Sequence, residues 1–278
     1  MIGWLEFWRA YRKNYGAVAG LVVITLFVLV AAVGPAIYPR DPFEMVGRPF
    51  SEPFGDFILG TDVLGRDIVA GLIHGARVSL LIGIVATLCA TLVGIVFGAL
   101  AGYYGGRIDD VLMRITEFFL TIPSFMLAIL LVAVFSPTIT NIVIAIAVVS
   151  WPSVARLTRA EFLSLREREF VLAFRAMGMP DWQIIIRHIL PNAMPSIVVV
   201  SSLIVATAIL TESGLSFLGL GDPNLMTWGH MVGVARTVLR TAWWMTAIPG
   251  ITILIAVLAI NLVGEGLNDA MNPHLKIR

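Results

Sequence analysis

The chain has 278 residues, 58% of them hydrophobic and only 13% charged, with a formal net charge of +1. A soluble domain carries about 25% charged residues, so an ordinary soluble globular protein is excluded, and the near-neutral balance offers nothing to nucleic acid. The lone Cys89 excludes an internal disulfide, and His74, His188, His230 and His274 form no ligand-spaced cluster, so neither a metal site nor a cofactor is expected.

At the start of the chain, Trp4, Phe7, Trp8 and Tyr11 alternate with Arg9, Arg12 and Lys13. This pattern reads either as a short helix lying on the membrane surface or as a plain charged flank. The apolar run at 17–38 follows. It is longer than a signal-peptide core and no small-residue cleavage site follows it, so a retained span is expected. Residues 39–77 form a long external loop. Further apolar runs occupy 78–101, 115–135, 139–155, 193–218 and 247–264. Most approach the roughly 20 residues needed to cross the hydrocarbon core. The run at 139–155 is short and contains Pro152. The expectation is an all-α membrane protein with six transmembrane helices. It divides into an N-terminal segment with the first span (1–38), the external loop (39–77), a core of five spans (78–264) and a tail (265–278).

Orientation follows the Lys and Arg distribution. With the N-terminus inside, only Arg40, Arg48, Arg66, Arg77, Arg236 and Arg240 of the 19 basic residues fall outside. Both termini and the segment 156–192 are therefore expected in the cytoplasm.

In the second run, Ala86, Ala90, Gly94, Gly98 and Gly102 repeat every four residues. Such a strip lets another backbone approach closely. Packing within the chain is the expectation, and contact with a second membrane subunit is the alternative. Pro123, Pro152, Pro195 and Pro249 punctuate the later runs, as broken helices do where they line a cavity or are buried in protein. Glu212 falls near the outer end of the fifth run, where it is either solvated or bonded to the Gly-rich turn that follows. Gly219-Leu220-Gly221-Asp222 matches the Gly-x-Gly-Asp letters of membrane aspartyl proteases. That chemistry needs a second Asp alongside, and no apolar run contains one, so a turn is expected.

The segment 156–192 is the longest charged stretch between two apolar runs. Phe170, Phe174 and Met177 recur at helical spacing, Gly178 ends the run, and Pro180-Asp181 restarts the chain. Trp182, Ile185, Ile186, Ile189 and Leu190 then share one helical face, which Pro191 closes. The apolar side chains of this helix–turn–helix either fill a groove on a partner or pack on the membrane face of the same chain. The only lysines, Lys13 and Lys276, do not follow a glycine, so the phosphate-binding Gly-x4-Gly-Lys-Ser/Thr loop is absent. Any use of ATP requires another chain.

Residues 172–191 resemble the cytoplasmic coupling motif of permease subunits in bacterial ABC importers. That motif runs Glu-Ala-Ala, three residues, Gly, nine residues, Ile-x-Leu-Pro. Leu172, Ala173 and Phe174 stand in the Glu-Ala-Ala place, Gly178 matches, His188 replaces Ile, and Leu190-Pro191 match. The missing Glu removes any salt bridge it would make with an ATPase. Four further segments resemble the dipeptide, oligopeptide and nickel permeases: Leu59–Asp67, Tyr104–Asp109, Ser216–Gly221 and Asn261–Leu267. Asn272-Pro273 stands where these proteins usually carry Asp-Pro.

The resemblance implies a type I ABC importer permease fold in a bacterial inner membrane. It implies a homologous second permease, two ATP-binding subunits and an extracytoplasmic substrate-binding protein as partners. It also implies an ATPase-coupling site comprising Phe170, Leu172, Ala173, Phe174, Met177, Gly178, Leu190 and Pro191. Di- or oligopeptides are the expected cargo, with nickel chelates, opines or another small solute as alternatives. A self-contained channel or proton-coupled carrier would normally place ionisable groups deep in the spans. Only Glu117 and Glu212 are available, both near edges.

Overall fold

The structure, a computed structural model, describes residues 4–271, so Asn272-Pro273 and the basic residues Lys276 and Arg278 lie outside the described residues. It is helical, with two isolated β-bridges and no strand among the described residues. In chain order the helices are α1 (Trp4–Tyr11), α2 (Tyr15–Ile37), α3 (Ile68–Tyr104), α4 (Gly106–Thr121), α5 (Ser124–Phe135), α6 (Ile139–Arg166) and α7 (Glu169–Ala176). There follow α8 (Asp181–Gln183), a π-helical turn (Ile184–Ile189), α9 (Leu190–Phe217), α10 (Trp228–Ala235) and α11 (Trp244–Met271).

Five helices are long and apolar enough to cross a membrane, and a sixth span exists if α4 and α5 count as one. That pair bends by 85° at Ile122-Pro123. The continuous span expected over 115–135 is therefore broken. Pro123 has no N–H to continue the ladder and disfavours helical backbone at Ile122, which is extended.

Helix boundaries differ from the apolar runs wherever polar residues cap or extend a helix. The long loop ends at Asp67, not at residue 77, because the Asp67 carboxylate accepts the Val69 N–H and starts α3 there. Residues 265–271 continue α11 instead of forming a tail. Pro191 does not close a helix, since Asp181–Phe217 is one long helix. The widened turn just before Pro191 relieves the crowding its ring causes and dispenses with its missing N–H. Leu190 accordingly bonds back five residues to the Ile185 carbonyl.

The small-residue strip of α3 packs inside the chain, against α6. A Cβ on Gly94 would lie 2.5 Å from Val154 Cβ, and one on Gly98 would lie 2.4 Å from the Ala155 carbonyl oxygen. Only glycine permits that approach. Ala90 lies on the same seam with Trp151 and Ala155. Cys89, beside this seam in sequence, is exposed.

At the N-terminus, α1 is a helix whose Phe7 and Trp8 pack with Tyr11, Ala17 and Ala270. Asn14 caps α2 and also donates to Asp269 at 2.8 Å, fastening the start of α2 to the end of α11.

Candidate coupling loop and the closed end of the bundle

The hairpin between α6 and α9 is built by its glycine. Gly178 has φ +75°, a backbone that an L side chain rarely adopts. It lets the Met179 N–H reach the Phe174 carbonyl and the Gly178 N–H reach the Arg175 carbonyl, which closes the end of α7. Pro180 is extended and Asp181 begins the next helix, where its negative charge suits the N-terminus.

One face of this hairpin faces inward. Val171 is fully buried with Phe162, Ile184, Ile189 and Tyr103, and Phe174 and Leu190 pack against the same cluster. Phe174 stacks on His188 with ring centroids 3.9 Å apart. His188 thus fills the place of the expected Ile with a flat ring against a flat ring. Phe174 is partly buried and turns toward the bundle, unlike Phe170 and Met177 with which it shares helical spacing.

The other face is uncovered. Met177 is 68% exposed, Leu172 48% and Phe170 37%, with Ala173 and Pro191 also exposed. Trp182 and Ile186 join this outer surface at 54% and 55%. The single helical face expected for Trp182, Ile185, Ile186, Ile189 and Leu190 is therefore split. In the π-helical turn Ile184 and Ile189, five residues apart, point inward together. Sequence spacing assumed α-helical geometry and missed Ile184 and Val171.

The hairpin is held to the bundle by groups that motif reading passed over. Tyr103 donates to Asp181 at 2.6 Å, and Arg175 lies 4.8 Å above the Tyr103 ring. Arg166 donates to the Gly102 carbonyl at 3.0 Å. Nearby, Arg159 forms a bidentate pair with Asp109 at 2.5 and 2.6 Å. That pair lies beside a charged cleft of about 410 Å³ between α4 and α6, which Asp110, Arg114, Glu117 and Arg156 also line.

The opposite end of α3 is internally bonded. Asp67 caps α3, accepts from Arg40 at 2.8 Å and accepts from the Tyr38 hydroxyl. The bond to Asp67 is the main reason the Tyr38 phenol is held above its ordinary pKa. Asp62 accepts the N–H groups of Leu64 and Arg66, both at 2.8 Å. Thr61 donates to the Arg48 carbonyl and accepts from Ser51 N–H. Gly65 has φ +77°, and a Cβ there would sit 2.2 Å from the Gly47 carbonyl oxygen. The Leu59–Asp67 motif is thus a self-bonded knot.

Glu212 is buried, not solvated. Its Oε1 accepts from Ser216 and Thr227, each at 2.8 Å, and Gly229 backs directly onto the carboxylate. Asp222 accepts the N–H of Ile139 at the start of α6 and the N–H of Asn224, each at 3.0 Å. It is a capping residue in a turn. Among the described residues no group of three or more His, Cys, Asp and Glu is arranged to hold a metal ion.

A multi-span helical bundle with a projecting hairpin and a charged cleft at its root is an architecture that comparison with known proteins can place. The chain belongs to the binding-protein-dependent transport system inner membrane component family, matched over residues 94–277. Residues 4–51 match the N-terminal transmembrane domain of oligopeptide transport permease C. It is 42% identical to the "Di/tripeptide transport system permease protein DppC" of Pseudomonas aeruginosa, covering 98% of this chain and 92% of that protein. It is 38% identical to the "Glutathione transport system permease protein GsiD" of Pectobacterium atrosepticum, over 98% and 92% of the two chains. A chain of the inward-facing MetNI methionine ABC transporter shares the fold, with TM-score 0.59 and 18% identity over 73% of this chain and 97% of that one. The type I importer permease fold is thereby shown.

Proposed function

We propose that this chain is one of two permease subunits of an ATP-driven, binding-protein-dependent importer that moves di- or oligopeptides across a bacterial inner membrane. The carrying observation is the exposed apolar face of Phe170, Leu172, Met177 and Trp182 beside the Gly178 turn. A projecting short helix with its apolar side chains in water is a docking element. Its partner is an ATP-binding subunit, because the chain has no phosphate loop of its own. A homologous permease completes the pathway, two ATP-binding subunits drive it, and an extracytoplasmic binding protein delivers the cargo. The names of the similar permeases support a peptide cargo. The excess of Lys and Arg on the hairpin side supports cytoplasmic termini and a cytoplasmic hairpin.

The test is reconstitution of the chain with its partners in proteoliposomes. Labelled dipeptide is expected to accumulate only with ATP and binding protein, and the isolated chain is expected to hydrolyse none. Hydrolysis by the chain alone, or accumulation without ATP, would overturn the reading. Orientation is tested with an impermeant thiol reagent in a Cys89→Ala background. Single cysteines at Ser51 and Asn224 should react in sealed cells, and one at Ser164 should not.

A further inference from the structure

We propose that Tyr103 is the positioning residue through which the hairpin moves α3. The inference rests on the coupling reading above and names where the motion enters the bundle.

Tyr103 is the second-last residue of α3 and is 4% exposed. Two elements of the hairpin meet on it. Its hydroxyl donates to Asp181 at 2.6 Å, at the start of the helix that runs on to Phe217. The Arg175 guanidinium, in the last turn of α7, lies 4.8 Å over its ring. Val171, the inward anchor of α7, packs in the same buried cluster. A bond to an ionised carboxylate and a cation over an aromatic face are both directional and stronger than neutral contacts. The hairpin therefore cannot be displaced as a unit without carrying Tyr103 or breaking both.

What Tyr103 receives, α3 must pass on. The residue before it, Gly102, sits so close to α6 that a Cβ would lie 2.6 Å from Phe162 Cβ. Gly98 and Gly94 continue that seam toward the middle of the bundle. Close-packed backbones have no slack to absorb a displacement, so α3 and α6 move as one body. Arg166 of α6 also holds the Gly102 carbonyl, which fixes the end of the seam to the root of the hairpin.

The test uses the assembled transporter in proteoliposomes with its binding protein. Tyr103→Phe removes the hydroxyl and leaves the ring beneath Arg175. The complex should assemble with normal stoichiometry and retain its basal ATP hydrolysis. Stimulation by loaded binding protein should fall about tenfold, the scale of one charged hydrogen bond. Asp181→Asn keeps an acceptor oxygen and should restore most of the stimulation lost in Asp181→Ala. Tyr103→Phe combined with Asp181→Ala should be no worse than either alone, since both remove one bond.

Unchanged stimulation in Tyr103→Phe would overturn the proposal. So would additive losses in the double variant, or a fall in complex yield with normal stimulation per assembled complex. Gly178→Val separates the two readings. If it still binds the ATPase, the coupling reading fails and this one with it. If it loses the ATPase while Tyr103→Phe keeps full stimulation, only the role of Tyr103 fails.

Discussion

The two ends of α3 treat their unpaired groups in opposite ways. At its start, the loop from Tyr38 to Asp67 bonds to itself: Asp62 and Asp67 each accept two or more hydrogen bonds from nearby groups, and Thr61 accepts one and donates one. At its end, the α7 hairpin buries Val171 and partly buries Phe174 but leaves Leu172, Met177 and Trp182 in the open. The helix between them, 37 residues, is about 55 Å long at 1.5 Å per residue. An end cross-bonded at so many of its own polar groups is built to hold one shape. Both ends leave apolar side chains uncovered, Phe54 and Met45 in the loop as well as Met177 and Trp182 on the hairpin, so the difference lies in the bonding. On the proposed reading the same chain contains a structural cap and a docking element, and the density of local bonding separates the two ends.

The largest expected effect lies at the docking end. Ala173→Asp places a charge in the middle of the exposed apolar face, and Gly178→Val forces a β-branched side chain onto a left-handed backbone. Both should insert and pair with the second permease, because the spans are untouched, yet lose transport and co-purification with the ATPase. Ser164 is exposed on α6 away from that face, and Ser164→Asn should have little effect. Normal assembly of Ala173→Asp would erase the distinction between the two ends.

A smaller effect is expected at the cap. Asp67→Ala removes the α3 N-cap and the partner of Arg40 and Tyr38. It should lower stability by about 2 kcal/mol, measured as thermal unfolding in detergent, with ATPase association unaffected. Asp67→Asn, which can still cap, should lose less. A loss of ATPase binding without a loss of stability would mean that the cap also has a coupling role.

The smallest effect concerns His230 on α10. Burial is the main reason its imidazole is held below the ordinary value near 6.5, with Arg66 adding to the fall and Asp62 and Asp222 opposing it. As pH drops below that ordinary value, an unfolded chain takes up the proton more readily than the folded one. Folded stability should therefore decline on the acid side of about 6.5 and level off only below the native pKa. His230→Gln should flatten that decline without altering transport at neutral pH. A parent chain whose stability stays constant from pH 7.5 to 5.5 would contradict it.

Much of the molecule was legible along the chain because the bilayer imposes a one-dimensional rule. Apolar length and charge distribution are properties of residue order, so the spans and the projecting hairpin could be read directly. The positive φ of Gly178 was also readable, since a glycine between a helical run and a proline has a short list of roles. The small-residue strip declared a close approach but not its partner, and only the packing showed that α6 takes it. The bend at Pro123 and the π-helical turn before Pro191 depend on how the flanking segments pack. The letters allowed a straight span in one case and a helix end in the other. Three-dimensional contact alone brought Tyr103 beside Asp181, 78 positions away. It also turned Phe174 inward onto His188 and buried Glu212 between Ser216 and Thr227. Sequence determined which segments enter the membrane because transfer into lipid is scored segment by segment. Tertiary structure decided which side chains meet because directional bonds depend on positions that no single segment contains.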